Sequence, residues 1–293
     1  MLSKKNKIAY MHNRSYGDLV INLYCRKFFL IDSVDFVPFY LHDLYKLISN
    51  NSKNVTILKK IIDKPAFINL RKSRIYEIIK SFKQLRNAFD KIKNCYPDYM
   101  IFQDHKRWGQ DMYFGFSTCT PNKLSNIYMS HMSFYKNIGL KSIKPINETL
   151  QNDGVVRIFP NSNHEYKNIN SDIVYSICNQ LNDLNTSHEV VYLDGEKIFD
   201  FKHNYSIIPR KFSELISKLK YSRFNISCDS LPAHLSSFYN INTLVLISEK
   251  SKYWLPLDSF NKKNYVALET IENGNHSYLF EMINKNYNEN FQL

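Results

Sequence analysis

Glycine is scarce in this chain, at 7 of 293 residues. That is about a third of ordinary usage and excludes collagen-like and glycine-rich repeat architectures. No run of 18 apolar residues occurs, so no transmembrane helix is expected. The opening MLSKKNKIAYMHNRSYGD is basic, but its apolar stretch of four residues is too short for a signal-peptide core and suits a first β-strand. The five cysteines (Cys25, Cys95, Cys119, Cys178 and Cys228) are scattered, odd in number and free of any C-x-x-C spacing. They read as reduced thiols of a cytoplasmic protein, most of them buried as small hydrophobes. The sequence has no G-x-G-x-x-G, no G-x-x-x-x-G-K-[ST], no H-E-x-x-H, no zinc-type Cys/His spacing, no D-x-D and no G-x-S-x-G. The common nucleotide fingerprints, metalloprotease chemistry and the serine-hydrolase elbow are therefore without support.

Apolar residues and positive charge are plentiful. Hydrophobic residues make up 44% and aromatics 15%, enough for a packed core. The net charge is +12, which favours an anionic partner. The charge is unevenly placed. Residues 1–150 hold 25 Lys and Arg against 11 Asp and Glu, a net +14, whereas residues 151–293 are at −2. This asymmetry, and a length suited to about two domains, predict an N-terminal domain over 1–150 and a C-terminal domain over 151–293. The aperiodic Lys144–Gly154 stretch would join them.

The most periodic helix lies in the basic half. Ile75, Ile78, Ile79, Phe82, Leu85, Phe89 and Ile92 recur at helical spacing and predict one buried face. Lys72, Arg74, Lys80, Lys83, Arg86, Lys91 and Lys93 occupy the rest. That basic face is either an ordinary solvated surface or a contact for anionic lipid or acidic glycan.

Along the chain, short apolar runs alternate with helical patterns. Strands are expected at Lys7–His12, Ala66–Leu70, Tyr99–Gln103, Val155–Phe159, Glu189–Leu193, Arg223–Ser227 and Thr243–Ile247. Helices are expected at Asp18–Leu30, Lys72–Lys93, Ser171–Leu184, Phe212–Lys220, Pro232–Tyr239 and His276–Asn288. This alternation predicts an α/β chain with parallel, doubly wound sheets in two domains. Ligands of such sheets sit beyond the C-terminal strand ends, here in an expected cleft between domains.

Three segments fall at strand-to-helix junctions. In Arg14-Ser15-Tyr16-Gly17-Asp18, Gly17 would allow a tight turn. Asp18 would be a helix cap or a carboxylate base. In Phe159-Pro160-Asn161-Ser162-Asn163-His164-Glu165-Tyr166-Lys167, the lysine before a helix suits phosphate oxygens or simply lies in a solvated loop. In Cys228-Asp229-Ser230-Leu231-Pro232-Ala233-His234-Leu235, Pro232 opens a helix whose first N–H groups suit a diphosphate. His234 is either a ligand contact or an ordinary core histidine.

Taken in order, these segments resemble the heptosyltransferases, glycosyltransferase family 9 of the GT-B fold. Gly17-Asp18 matches the family's Gly-Asp after the first strand, and Pro160–Lys167 matches its loop lysine. Asp229-Ser230-Leu231-Pro232-Ala233-His234-Leu235 matches its Asp-(Ser/Thr)-Gly-x-x-His-Leu, with Leu231 in place of the glycine. Asn168 stands where an aromatic often follows the lysine, and Tyr253-Trp254-Leu255-Pro256 is similar to a Trp-x-Pro-like segment.

The resemblance implies two Rossmann-like domains facing across a cleft, the last helix returning to the N-terminal one. It implies an inverting, metal-independent transferase that uses a nucleotide-diphosphate sugar, ADP-heptose by family preference, and no cofactor. Asp18 would be the general base. Lys167, Asn161, Ser162, Asp229, Ser230, Leu231 and His234 would hold the donor, with Arg14 and Ser15 toward the acceptor. The acceptor would be an acidic glycan or glycolipid of the lipopolysaccharide core or capsule, reached from the cytoplasm at the inner membrane surface. Two readings stay open beside it. One is a GT-B relative that binds or hydrolyses the donor without transfer. The other is a basic nucleic-acid-binding protein, for which 21 Tyr and 20 Phe could supply stacking surfaces but no motif speaks.

Overall fold

A computed structural model describes residues 7–12, 14–49, 55–59, 75–103, 119–145, 151–272 and 274–289. The chain forms two compact units. The first comprises residues 1–124 and 128–145, the second residues 125–127 and 146–293. Residues 125–127 join the second unit, where Asn126 Nδ2 donates to the Leu255 carbonyl at 2.9 Å.

The first unit runs β1 (Lys7–Met11), α1 (Tyr16–Arg26), β2 (Asp32–Pro38), α2 (Phe39–Ile48), β3 (Val55–Leu58), α3 (Ile75–Cys95), β4 (Met100–Phe102) and α4 (Ile127–Asn137). Its sheet has the order β3-β2-β1-β4, every described pairing parallel. Ile8, Ala9, Tyr10 and Met11 are all buried, as a central parallel strand covered on both faces requires. One face packs Ala9, Met11, Val34, Phe36 and Ile101 against Leu85, Ala88, Phe89 and Ile92 of α3. On the other, Tyr10 and Phe102 meet Tyr135 of α4.

The expected strand at Ala66–Leu70 lies outside the described residues, as do Lys72 and Arg74 and the side chains of Ile75 and Ile78. Ile79, expected in the core, is 61% exposed. At 100° per residue it lies well away from the Leu85–Ile92 stripe that seats the helix.

The second unit runs β5 (Val156–Phe159), α5 (Ser171–Asp183), β6 (His188–Leu193), β7 (Tyr205–Ile208), α6 (Phe212–Lys220), β8 (Phe224–Cys228), α7 (Leu231–Phe238), β9 (Thr243–Ile247), α8 (Leu257–Asn261), β10 (Tyr265–Ala267), α9 (Leu268–Glu272) and α10 (His276–Glu289). Short 3₁₀ turns cover Glu165–Lys167 and Glu249–Trp254. The sheet order is β10-β9-β8-β5-β6-β7, all parallel. Counted from β5, that is the doubly wound Rossmann order, with its switch point between β5 and β8. A large core cluster covers one face. On the other, Ala233, Val245, Ile247 and Leu255 form a smaller one.

Leu279, Met282 and Ile283 of α10 enter the large cluster. The last helix therefore buries these apolar side chains in the core of the second unit.

Candidate functional site

In the second unit the switch point brings two of the three segments together. The loop after β5 closes through an Ile169 N–H bond to the Pro160 carbonyl at 2.9 Å. Asn168 Oδ1 accepts from the Ser162 N–H at 2.7 Å, and the Ser162 hydroxyl accepts from the His164 N–H at 3.3 Å. Asn168, which replaces the family aromatic, thus shapes the loop. The 3₁₀ turn then aims Lys167 back over the strand ends, where its Nζ donates to Asp229 Oδ2 at 2.6 Å. Asp229 follows β8, is almost fully buried, and is pinned by its N–H to the Leu246 carbonyl at 3.1 Å. An ammonium has three donors, so this pair leaves Lys167 two for oxygens of an anion.

Beside the pair begins α7. Its N-cap, Ser230, does not cap the helix with its side chain. The hydroxyl instead turns back to β8, accepting from Cys228 Sγ at 3.2 Å and donating to the Cys228 carbonyl at 3.3 Å. Pro232 stands in the first turn, where its missing N–H costs nothing. Leu231, in the family glycine's place, is half-buried at the first helical position and has no positive φ. The glycine's special conformation is not needed here. His234, at 6% exposure, is in the interior of the helix face.

The structure adds a residue that the sequence reading missed. Glu196, in the turn after β6, accepts from Asn161 Nδ2 at 2.8 Å and from the Leu193 N–H at 3.0 Å, both through Oε2. An acid after the second strand of such a sheet is where ribose hydroxyls are met. Its only sequence signal is Asp194-Gly195-Glu196, where Gly195 takes φ +78° to make the turn. Asn161 therefore spends its amide donor on this acid.

In the first unit, Ser15 is the N-cap of α1 and Asp18 the third helical residue. Asp18 Oδ2 accepts from the Ser15 N–H at 3.0 Å and from the Ser15 hydroxyl. The candidate base is therefore not the helix cap itself but the N3 partner of a capping box with Ser15, its Oδ1 left to other partners. Gly17 lies inside the first helical turn without a positive φ, so no tight turn depends on it. Arg14 is only 2% exposed, and its carbonyl accepts from Tyr40 Oη at 2.7 Å. Its side chain is buried in this structure.

Behind that loop lies a buried charge cluster with no sequence signature. His12 Nε2 is 2.7 Å from Asp35 Oδ1, which also receives Arg26 Nη1 at 2.6 Å; Arg26 Nη2 reaches Asp35 Oδ2 at 3.1 Å. The guanidinium lies 4.1 Å from the Tyr10 ring centroid. Burial alone would raise the Asp35 pKa, but Arg26 and then His12 outweigh it and hold the carboxyl far below its usual range. Burial pushes the Tyr10 phenol well up, so it stays protonated. At the end of β4, Gln103 is buried and neither atom of its amide has a protein partner. Such capacity is met by a ligand or by water. Among the described residues, no group of three His, Cys, Asp or Glu could hold a metal ion.

No protein-family model and no curated protein sequence matches the chain. Solved structures do. A family 9 glycosyltransferase from Veillonella parvula superposes with a TM-score of 0.65 at 11% identity, covering 99% of this chain and 98% of its own. The Escherichia coli heptosyltransferase WaaC with ADP gives 0.60 at 11%, covering 96% and 99%. The E. coli ADP-heptose lipopolysaccharide heptosyltransferase II gives 0.58 at 10%, covering 96% and 98%. The chain is similar to these proteins over nearly its whole length, and its fold is GT-B, two Rossmann-like α/β units.

Proposed function

We propose that the protein is a glycosyltransferase of the heptosyltransferase family. In this reading it moves a sugar, heptose from ADP-heptose, to a hydroxyl of an acidic glycan of the lipopolysaccharide core or capsule, in the cytoplasm. The observation that carries the reading is the meeting of Lys167 and Asp229 beside the uncapped start of α7, at the switch point of the second sheet. It stands in a fold shared with WaaC, whose structure holds ADP.

The donor diphosphate would lie against Lys167 and the first N–H groups of α7, where the helix dipole and the ammonium both favour negative charge. Asp229 would hold Lys167 in place rather than touch the sugar. Glu196 would take the ribose hydroxyls, with Asn161 orienting it. Ser162 and His234 would shape the pocket walls.

Asp18 would accept the proton of the acceptor hydroxyl at Oδ1, since Oδ2 already takes two hydrogen bonds from Ser15. The acceptor oxygen then forms its bond to the anomeric carbon. The bond from that carbon to the diphosphate oxygen breaks, and ADP leaves with the electron pair. One displacement inverts the configuration. Lys167 and the helix start stabilise the charge that develops on the leaving oxygen. No cofactor enters these steps. The net +14 of residues 1–150 suits an acidic acceptor.

The experiment is turnover of ADP-heptose with a deacylated core oligosaccharide. Release of ADP together with a heptosylated product supports the reading. ADP release without product would leave only donor hydrolysis, and no donor binding would remove the reading altogether.

A further inference from the structure

The outward face of α3 carries two large apolar side chains that the core does not use. Tyr76 is 74% exposed and Ile79 is 61% exposed. They lie three residues apart, on one side of the helix. At 100° per residue the stripe through Tyr76 and Ile79 also carries Lys80, Lys83, Asn87 and Lys91, opposite the stripe of Leu85, Phe89 and Ile92 that is fully buried against the sheet. Lys80, Lys83 and Lys91 are exposed and make no described ion pair; Arg86 is 3.3 Å from Asp90 one turn on. Over Ile75–Cys95 the helix holds five Lys and Arg against two acidic residues.

We propose that this face of α3 is a docking surface for an anionic lipid bilayer. Single exposed apolar residues need no explanation, but an adjacent pair framed by unpaired lysines does. Lysines alone would suit any polyanion in water. The Tyr76–Ile79 pair gains only where an apolar phase lies beneath the charged layer, as at the headgroup boundary. A tyrosine suits that boundary, since its ring is apolar and its hydroxyl stays wet. The lysines meet the negative surface potential without requiring a shaped partner. The excess positive charge of residues 1–150 steers the approach. The inference stands independently of sugar transfer, because α3 contributes nothing to the candidate donor or base positions.

The test is sedimentation of the full-length protein with vesicles of phosphatidylcholine alone and with about one-third phosphatidylglycerol, over a salt series. Binding to the anionic vesicles only, falling as salt rises, is expected. Lys80→Glu with Lys83→Glu should weaken partitioning at least about tenfold. Tyr76→Ser with Ile79→Ser should weaken it severalfold and leave a remnant that salt abolishes. Lys80→Gln with Lys83→Gln gives an intermediate loss without charge reversal. All variants should keep the wild-type thermal melt and ADP affinity, which separates this inference from the transferase reading. No binding to anionic vesicles, or binding that both pairs of substitutions leave unchanged, overturns it.

Discussion

Lys167 Nζ and Asp229 Oδ2 are 2.6 Å apart, joined from loops 62 residues apart in sequence. The two partners are unequal. Asp229 sits at a strand end with a side chain 2% exposed, while Lys167 retains 15% and has a long, flexible stem. Removing the lysine strands a buried carboxylate, whereas removing the carboxylate lets the ammonium turn to water. Lys167→Ala should therefore cost roughly 3 kcal/mol or more of unfolding free energy. Asp229→Asn should cost less than half of that, and adding it to Lys167→Ala should recover part of the loss. Urea unfolding of the four proteins measures the coupling; additive losses would show that the pair is not a unit.

Asp18 is asked to be both the capping-box partner of Ser15 and the base. Asp18→Asn keeps an oxygen for the Ser15 N–H, so stability should fall by no more than about 1 kcal/mol. Turnover should drop by roughly two to four orders of magnitude, because an amide cannot take the acceptor proton. Donor affinity should hold. Steady-state rates and ADP titration of the same preparation check both, and full turnover in the variant would remove Asp18 from the mechanism.

The His12–Asp35–Arg26 cluster predicts an acid limit for the first unit. Because the Asp35 carboxyl is held far below its usual range, its contribution is fully present above the ordinary aspartate value near about pH 4. It is lost progressively as pH falls below that. Denaturant unfolding between about pH 2 and 6 should show wild-type stability falling more steeply with acid than that of Asp35→Asn. Asp35→Ala should cost roughly 3–5 kcal/mol at neutral pH, because it leaves Arg26 without its buried counter-ion. Parallel pH curves for wild type and Asp35→Asn would contradict this account.

The cysteines differ in reactivity. Burial pushes the Cys228 thiol up to about 12 despite its contact with Ser230, and burial takes Cys119 to about 12 and Cys178 to about 11. Cys95 is exposed. Iodoacetamide near pH 8 should label Cys95 first and spare Cys228 until the protein unfolds, as peptide mass spectrometry would show. Equal labelling of Cys95 and Cys228 in the folded protein would contradict the structure.

The sequence made the second unit far more legible than the first. Thr243–Ile247 is an apolar run, and Val156–Phe159 and Phe224–Cys228 set Val156, Ile158, Phe224, Ile226 and Cys228 at alternate positions; all three are buried along their length, so each announces a strand. Phe212–Lys220 keeps a clean amphipathic period. In contrast, β2 reads Asp-Ser-Val-Asp-Phe-Val-Pro, and its buried Asp35 breaks the apolar pattern because Arg26 and His12 neutralise it from elsewhere in the fold. The edge strand β7 is largely exposed and has no apolar run to find. Ile79 follows Ile75 and Ile78 in an apolar stretch, so composition draws it toward the core, although 100° per residue sets it well away from the buried stripe. At the site, Lys167 and Asp229 could each be named, but their contact depends on the sheet order, and Glu196 depends on a glycine turn.

The account rests on a diphosphate site at Lys167 and the start of α7, and calorimetric titration with ADP, UDP, GDP and CMP tests it most directly. ADP should bind and CMP should not. Lys167→Ala, and its restored partner carrying Asp229→Asn as well, should bind ADP roughly ten- to a hundredfold more weakly, the worth of one charge-assisted hydrogen bond at about 1.5–3 kcal/mol. No binding of any nucleoside diphosphate, or ADP affinity unchanged in both variants, would contradict it.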